Sequence, residues 1–163
     1  MAKPGRFQIL RPSVLDRLLE GEAKGPGYPE MGLRELKAAV ARDLEWLLNT
    51  KSVLSKDSGI EELPEARHSI LTYGIPDFST ASWRSHNDAQ RICAELGAAV
   101  RTFEPRLLPS TVRVTMLPTQ STDDFRMRFR IEATLHVEPI SEPVYFDSSV
   151  EMDTGAIQVE GGL

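Results

Sequence analysis

The stretch Phe125-Arg126-Met127-Arg128-Phe129-Arg130-Ile131-Glu132-Ala133-Thr134-Leu135-His136-Val137 alternates without a break between apolar and polar residues. Successive side chains of a β-strand point to opposite faces, so this pattern predicts a strand with one buried and one wetted face. A helix would scatter the same residues around its circumference. Upstream, Val112, Val114 and Met116 alternate with Arg113 and Thr115; downstream, Val144, Phe146, Ser148, Val150 and Met152 repeat the pattern. Asp153-Thr154-Gly155 supplies a turn before a last short strand over 156–160. These strands are expected to form an antiparallel meander.

Further toward the N-terminus the period changes from 2 to 3.6. Leu33, Leu36, Val40, Leu44, Leu47 and Leu48 predict a helix over 33–49, with Arg34, Lys37, Arg42 and Glu45 largely on its other side. Ala89, Ile92, Cys93, Leu96, Val100 and Phe103 predict a second over 87–104, which Pro105 ends. Gly97 costs that helix about 1 kcal/mol relative to alanine, which packing can offset. Between them, Tyr73-Gly74-Ile75-Pro76-Asp77 reads as an ordered loop in which Pro76 holds Ile75 extended.

A short helix is also expected over 13–19, where Ser13 is the N-cap, Asp16 completes a capping-box spacing, and Leu15, Leu18 and Leu19 form an apolar face. Gly25-Pro26-Gly27 then interrupts any helix. The fold class expected is α+β: two long amphipathic helices packed on an antiparallel sheet of three to four strands, with a short N-terminal helix. Residues 1–30 form that helix and a Gly/Pro-rich connection, and 31–163 form the α+β domain.

Composition narrows the functional classes. The 163 residues, 40% hydrophobic and 26% charged, suit one ordinary globular domain. Residues 1–22 lack an apolar run of signal-peptide length, and no other run approaches the roughly 20 residues that span a bilayer. Cys93 is the single cysteine, so no internal disulfide can form. A cytoplasmic protein without membrane insertion is expected. The net charge of −5 opposes non-specific binding to nucleic acid, and no nucleic-acid partner is expected.

No catalytic, metal or cofactor site is expected. His68, His86 and His136 fall in separate contexts, and Cys93 reads as a small buried hydrophobe. Phosphate-loop, dinucleotide and nucleophile-elbow motifs are absent from the sequence. A glycosidase would need one carboxylic acid kept protonated in an apolar pocket. Among Glu61, Glu62, Glu104, Asp123 and Asp124, Glu104 is the most conspicuous, yet Arg106 lies two residues away and favours the ionised form.

Glu104-Pro105-Arg106 carries a second interest. A glutamate at a helix C-terminus faces the unfavourable end of the macrodipole, whereas an arginine there is welcome. Glu104 then either points into water or serves a paired contact with another protein, with Pro105 fixing the two charges relative to each other. The Arg126, Arg128 and Arg130 stripe either faces acids such as Asp147 or Glu151 on a neighbouring strand or meets an acidic partner surface or an RNA backbone, the last disfavoured by the net negative charge.

Four segments carry a resemblance to a known family: Ser13-Val14-Leu15-Asp16-Arg17-Leu18, Arg42-Asp43-Leu44-Glu45-Trp46-Leu47-Leu48-Asn49-Thr50, Tyr73-Gly74-Ile75-Pro76-Asp77, and Phe103-Glu104-Pro105-Arg106-Leu107. In this order, followed by a strand-rich half, they resemble the TssE family of type VI secretion baseplate subunits, related to the small wedge protein of contractile phage-tail baseplates. Val14 and Ile75 stand where leucine is usual, and Thr72 where asparagine is common.

The resemblance implies a cytoplasmic, non-enzymatic baseplate component that binds the wedge proteins TssF and TssG through Glu104, Pro105 and Arg106. It also implies strand edges on which the sheath proteins TssB and TssC begin to assemble. The helix containing Leu15, Asp16, Arg17 and Leu18 is a further candidate docking element, against the alternative that it packs on its own domain. On this reading, Glu104→Ala or Arg106→Ala leaves the isolated fold intact and weakens partner binding. The competing reading is a peptidoglycan-cleaving, lysozyme-like hydrolase, a label that relatives of the family have carried.

Overall fold

The computed structural model describes Asp16 and residues 32–52, 63, 65–66, 69–78, 86–118, 126–137, 141–151 and 154–161. Helix α1 runs over Leu33–Asn49 and helix α2 over His86–Phe103. Four strands follow: β1 (Arg113–Leu117), β2 (Arg126–Leu135), β3 (Glu142–Glu151) and β4 (Ile157–Gly161). They form one antiparallel sheet in the order β1-β2-β3-β4, as a meander with three consecutive ladders requires. The expected N-terminal helix lies outside the described residues except for Asp16, which is helical and buried.

Both helices form where the 3.6-residue period lies. The Gly32 N–H donates to Glu35 Oε2 at 2.9 Å, tying down a peptide group that the first turn of α1 would otherwise leave unpaired. Leu36, Val40, Leu44, Leu47 and Leu48 are buried on α1, and Ala89, Ile92, Leu96 and Val100 on α2. All of these but Ala89 meet Phe129, Ile131, Ala133 and Leu135 of β2 and Val144, Phe146 and Val150 of β3 in a single core. The opposite face of β2 is wetted, and there Arg130 forms an ion pair with Asp147, with Nε to Oδ1 at 2.6 Å.

Glu45 departs from its expected place on the solvent side of α1, and Asn49, one turn on, joins it against β4. The Ile157 N–H donates to Asn49 Oδ1 at 2.9 Å, the Ile157 carbonyl accepts from Asn49 Nδ2 at 2.7 Å, and the Val159 N–H donates to Glu45 Oε2 at 3.0 Å. Helix α1 thereby closes the outer edge of β4, which would otherwise offer unpaired peptide groups to another chain. Asn49→Ala is expected to cost about 1–2 kcal/mol, from a peptide N–H and carbonyl losing their partner. Urea denaturation measures the loss, and light scattering should show association that grows with concentration.

The Tyr73-Gly74-Ile75-Pro76 segment is pinned to the end of α1. The Ile75 N–H donates to the Thr50 carbonyl at 2.8 Å and the Ser52 N–H to the Ile75 carbonyl at 2.9 Å, with Ile75 itself buried. Ile75 is extended, as the following proline requires, and forms an isolated parallel bridge with Lys51.

Candidate functional site

The Glu104-Pro105-Arg106 loop is fixed at both ends by backbone bonds. The Glu104 N–H donates to the Val100 carbonyl at 3.0 Å, continuing the ladder of α2, and the Leu107 N–H donates to the Glu104 carbonyl at 3.2 Å. Beyond the loop, the His136 N–H donates to the Arg106 carbonyl at 2.8 Å and the Leu108 N–H to the Thr134 carbonyl at 2.9 Å. Leu107, buried beneath the loop, anchors it in the core. The long strand that decides the fold therefore also positions this loop.

Glu104 does not point into water: only 3% of the residue is exposed. Its Oε1 accepts from the Arg106 N–H at 3.0 Å and from Arg106 Nε at 2.7 Å, and its Oε2 accepts from Arg106 Nη2. A guanidinium fork on a carboxylate is among the stronger protein hydrogen-bonded pairs, and here it replaces solvent around a buried charge. The unfavourable end of the helix dipole is thus offset locally, by a cation two residues along.

The pair continues outward. Arg106 Nη2 donates to Asp43 Oδ2 at 2.7 Å, Asp43 Oδ1 accepts from Arg42 Nη2 at 2.7 Å, and Arg42 Nη1 donates to Asp16 Oδ1 at 2.6 Å. The Arg42 guanidinium also lies over the ring of half-exposed Trp46, 4.9 Å from its centroid. Carboxylates of Glu104, Asp43 and Asp16 therefore alternate with guanidiniums of Arg106 and Arg42, buried at both ends and most exposed at Arg42.

The environments differ accordingly. Burial works against the charge on Arg106, but the Glu104 and Asp43 carboxylates outweigh it and hold the guanidinium protonated. Arg42 is held charged chiefly by its bond to Asp16, with Asp43 assisting against burial. Tyr73, edge-on to Phe103 with ring centroids 5.3 Å apart, keeps its proton above the ordinary tyrosine range, first through burial and then through the Asp43 and Glu104 charges. The Tyr73 contribution to stability is present below the usual value of about 10 and is lost as pH rises through the higher folded value. Absorbance titration of the folded chain should show a late-ionising tyrosine that Tyr73→Phe removes.

Of the sequence-predicted site residues, Glu104, Pro105, Arg106 and Asp16 are brought into one region; Leu15, Arg17 and Leu18 lie outside the described residues. Pro105 is exposed on the loop. The connecting residues Arg42 and Asp43 had no assigned role in the sequence reading. A signal was available: Asp43 lies seven residues after Leu36 and three after Val40, a charge on the flank of an apolar stripe. Cys93 is half-buried, not fully buried, and burial pushes its thiol up while the Met116 N–H pulls the other way.

Chemically the arrangement suits recognition more than proton transfer. Both Glu104 oxygens are occupied as acceptors by Arg106, which is the wrong setting for a proton donor to a glycosidic oxygen. Glu61, Glu62, Asp123 and Asp124 lie outside the described residues. Among the described residues no group of three or more His, Cys, Asp or Glu is placed to hold a metal ion. No helix of the described residues is long and apolar enough to cross a membrane.

No curated protein matches the sequence. Among solved structures, a chain of the baseplate complex from the type VI secretion system is similar at 16% identity, covering 72% of this chain and 96% of that one with a TM-score of 0.48. The model of the family described as baseplate wedge protein gp25 matches residues 34–140, a span that takes in α1, α2, the Glu104-Pro105-Arg106 loop, β1 and β2. With most of its length and its whole charged loop inside that match, the chain belongs to the gp25 baseplate wedge family.

Proposed function

We propose that this chain is a structural, non-enzymatic subunit of a type VI secretion baseplate in the cytoplasm, docking on the wedge proteins TssF and TssG and helping the TssB–TssC sheath to begin assembly. The observation that carries the reading is the fixed Glu104-Pro105-Arg106 loop within a gp25-family chain. Glu104 spends its charge on Arg106, so it acts as a positioning residue, while Arg106 and Pro105 offer the contact. Arg106 Nη1 has no hydrogen-bond partner among the described residues, and Pro105 is exposed beside it. Arg42 and Trp46 extend the same surface, with an aromatic face of the kind enriched where protein interfaces are strongest.

Asp16 adds a further element. Its bond to Arg42 ties Asp16 to the charged loop, which supports a partner surface that Asp16 shares with Arg106 and Pro105. Co-purification tests this. Arg106→Lys retains a cation against Glu104 but loses the fork, and Pro105→Glu leaves the buried groups untouched. Both variants should keep a cooperative thermal transition while losing at least about tenfold in capture of TssF and TssG. Undiminished capture and undiminished secretion by both would remove the loop from the function. Clearing of cell-wall material by the purified chain would instead favour the hydrolase.

A further inference from the structure

Ile70 and Leu71 are 86% and 58% exposed, although both are large aliphatic residues. They lie side by side in the 3-10 turn Ile70–Thr72. Single apolar side chains scattered over a surface are ordinary, but two neighbours held outward on a fixed turn call for an explanation. The turn is fixed by its own hydrogen bonds. The Leu71 N–H donates to Ser69 Oγ at 3.3 Å, the Thr72 N–H to the Ser69 carbonyl at 3.1 Å, and the Tyr73 N–H to the Ile70 carbonyl at 3.2 Å. Ser69 Oγ donates in turn to the Ala66 carbonyl at 2.7 Å, and Thr72 Oγ1 to the Ser69 carbonyl at 3.0 Å. With these hydroxyls occupied inside the turn, aliphatic side chains are what it offers outward.

The chain downstream joins this turn to the charged loop. Tyr73 sets its ring edge-on against Phe103, the last residue of α2 and the one before Glu104, and it lies close enough to Asp43 and Glu104 to sense both charges. Ile75 then fastens the segment to Thr50 at the end of α1. Ile70 and Leu71 therefore border, across Tyr73, the surface on which Arg106 and the exposed Pro105 are presented. Exposed Glu65 and Asp77 flank the turn in sequence, and Lys51 is bound to Asp77 Oδ1 at 3.2 Å. That charge pattern suits an apolar socket on a protein, not an anionic lipid surface.

We propose that Ile70 and Leu71 form an apolar knob that enters a socket on the same partner protein that meets Arg106 and Pro105. The socket is apolar, large enough for two aliphatic side chains, and carries an acidic group at its rim that reaches Arg106 across Tyr73. The two contacts do different work: apolar burial attracts without direction, whereas the charged contact sets the partner's orientation. Because the turn is already ordered in the free chain, docking orders little that was mobile. The inference rests on the reading of the chain as a docking subunit and adds to it a second, uncharged contact.

The test uses the full chain and measures capture of TssF and TssG by co-purification over a range of concentrations. Ile70→Gln combined with Leu71→Gln keeps side-chain length and removes the apolar surface. This variant should lose at least about thirtyfold in capture, the scale of an interface hot spot. Its melting temperature should be unchanged, because neither residue is buried. Ile70→Val combined with Leu71→Met stays apolar and should capture within about threefold of the wild type. Rising salt should weaken the wild type and the glutamine variant in the same proportion, since the contact removed carries no charge.

Full capture of TssF and TssG by the glutamine variant would overturn the proposal, and with the Arg106→Lys and Pro105→Glu variants still failing it would leave the docking role intact. A wild-type chain that captures neither wedge protein would refute the docking role and this contact together. A lowered melting temperature of the glutamine variant would show that the pair packs within the chain, and would also overturn the proposal. So would a loss confined to TssB and TssC, wild-type self-association in light scattering that the glutamine variant abolishes, or flotation of the wild-type chain with anionic vesicles, since each places the knob against a different occupant.

Discussion

Arg106→Ala is expected to lower the stability of the isolated chain by about 3 kcal/mol, the usual scale for removing one partner of a buried ion pair. The loss is large because Glu104, with 4% of its side chain exposed, would retain only the Arg106 backbone N–H and has little access to water. Glu104→Ala should cost less, about 1–2 kcal/mol, since Arg106 keeps its bond to Asp43 and is itself partly exposed. Asp43→Ala should fall in the same lower range. Urea denaturation of the variants at neutral pH gives these values, and the double variant gives the coupling. Equal losses for Glu104→Ala and Arg106→Ala, or a loss for Arg106→Ala below about 0.5 kcal/mol, would contradict this account.

This result bears on function. From the sequence alone, alanine variants of Glu104 and Arg106 are expected to weaken partner binding without touching the fold. With Glu104 buried, failed docking by an alanine variant could simply report a damaged loop. Arg106→Lys and Pro105→Glu separate the two effects because neither strands the buried carboxylate.

Gly74→Ala is expected to be comparably destabilising, by about 3 kcal/mol, from backbone strain together with lost hydrogen bonds. Gly74 has φ of 114°, which side-chain-bearing residues rarely adopt, and an added Cβ would sit 2.4 Å from the Thr50 carbonyl oxygen. Relief would require separating the Ile75 and Thr50 peptide groups, which releases Ile75 from the core at the end of α1. The shift in urea midpoint measures it. Exchange of the Ile75 and Ser52 amides should accelerate with it, and an unperturbed Ile75 amide would show that the clash is accommodated elsewhere.

Several features were legible from local pattern alone. The period of 2 in 125–137 marked β2, the apolar stripes marked α1 and α2, and the turn chemistry of Asp153-Thr154-Gly155 placed β4 after β3. Each depends on residues near one another in the chain, where side-chain direction is set by the backbone. The pairing of Arg130 with Asp147 was also accessible, because a meander places neighbouring strands side by side. Pro76 likewise announced the extended Ile75.

The charged site was legible only in part. Glu104, Pro105 and Arg106 stood out because a glutamate at a helix end runs against the dipole, and Asp16 because of its capping spacing. That Glu104 is buried, that Asp43 joins Arg106 to Arg42, and that Asp16 closes the same chain of charges all depend on α1 lying against the end of α2. The same holds for the sheet edge: no local pattern says that Glu45 and Asn49 close β4. Sequence determined which residues were buried or wetted within each element, since periodicity is a local property; tertiary structure decided which charges and strand edges were already spent within the chain, since partners far apart in sequence meet only when the helices and sheet pack.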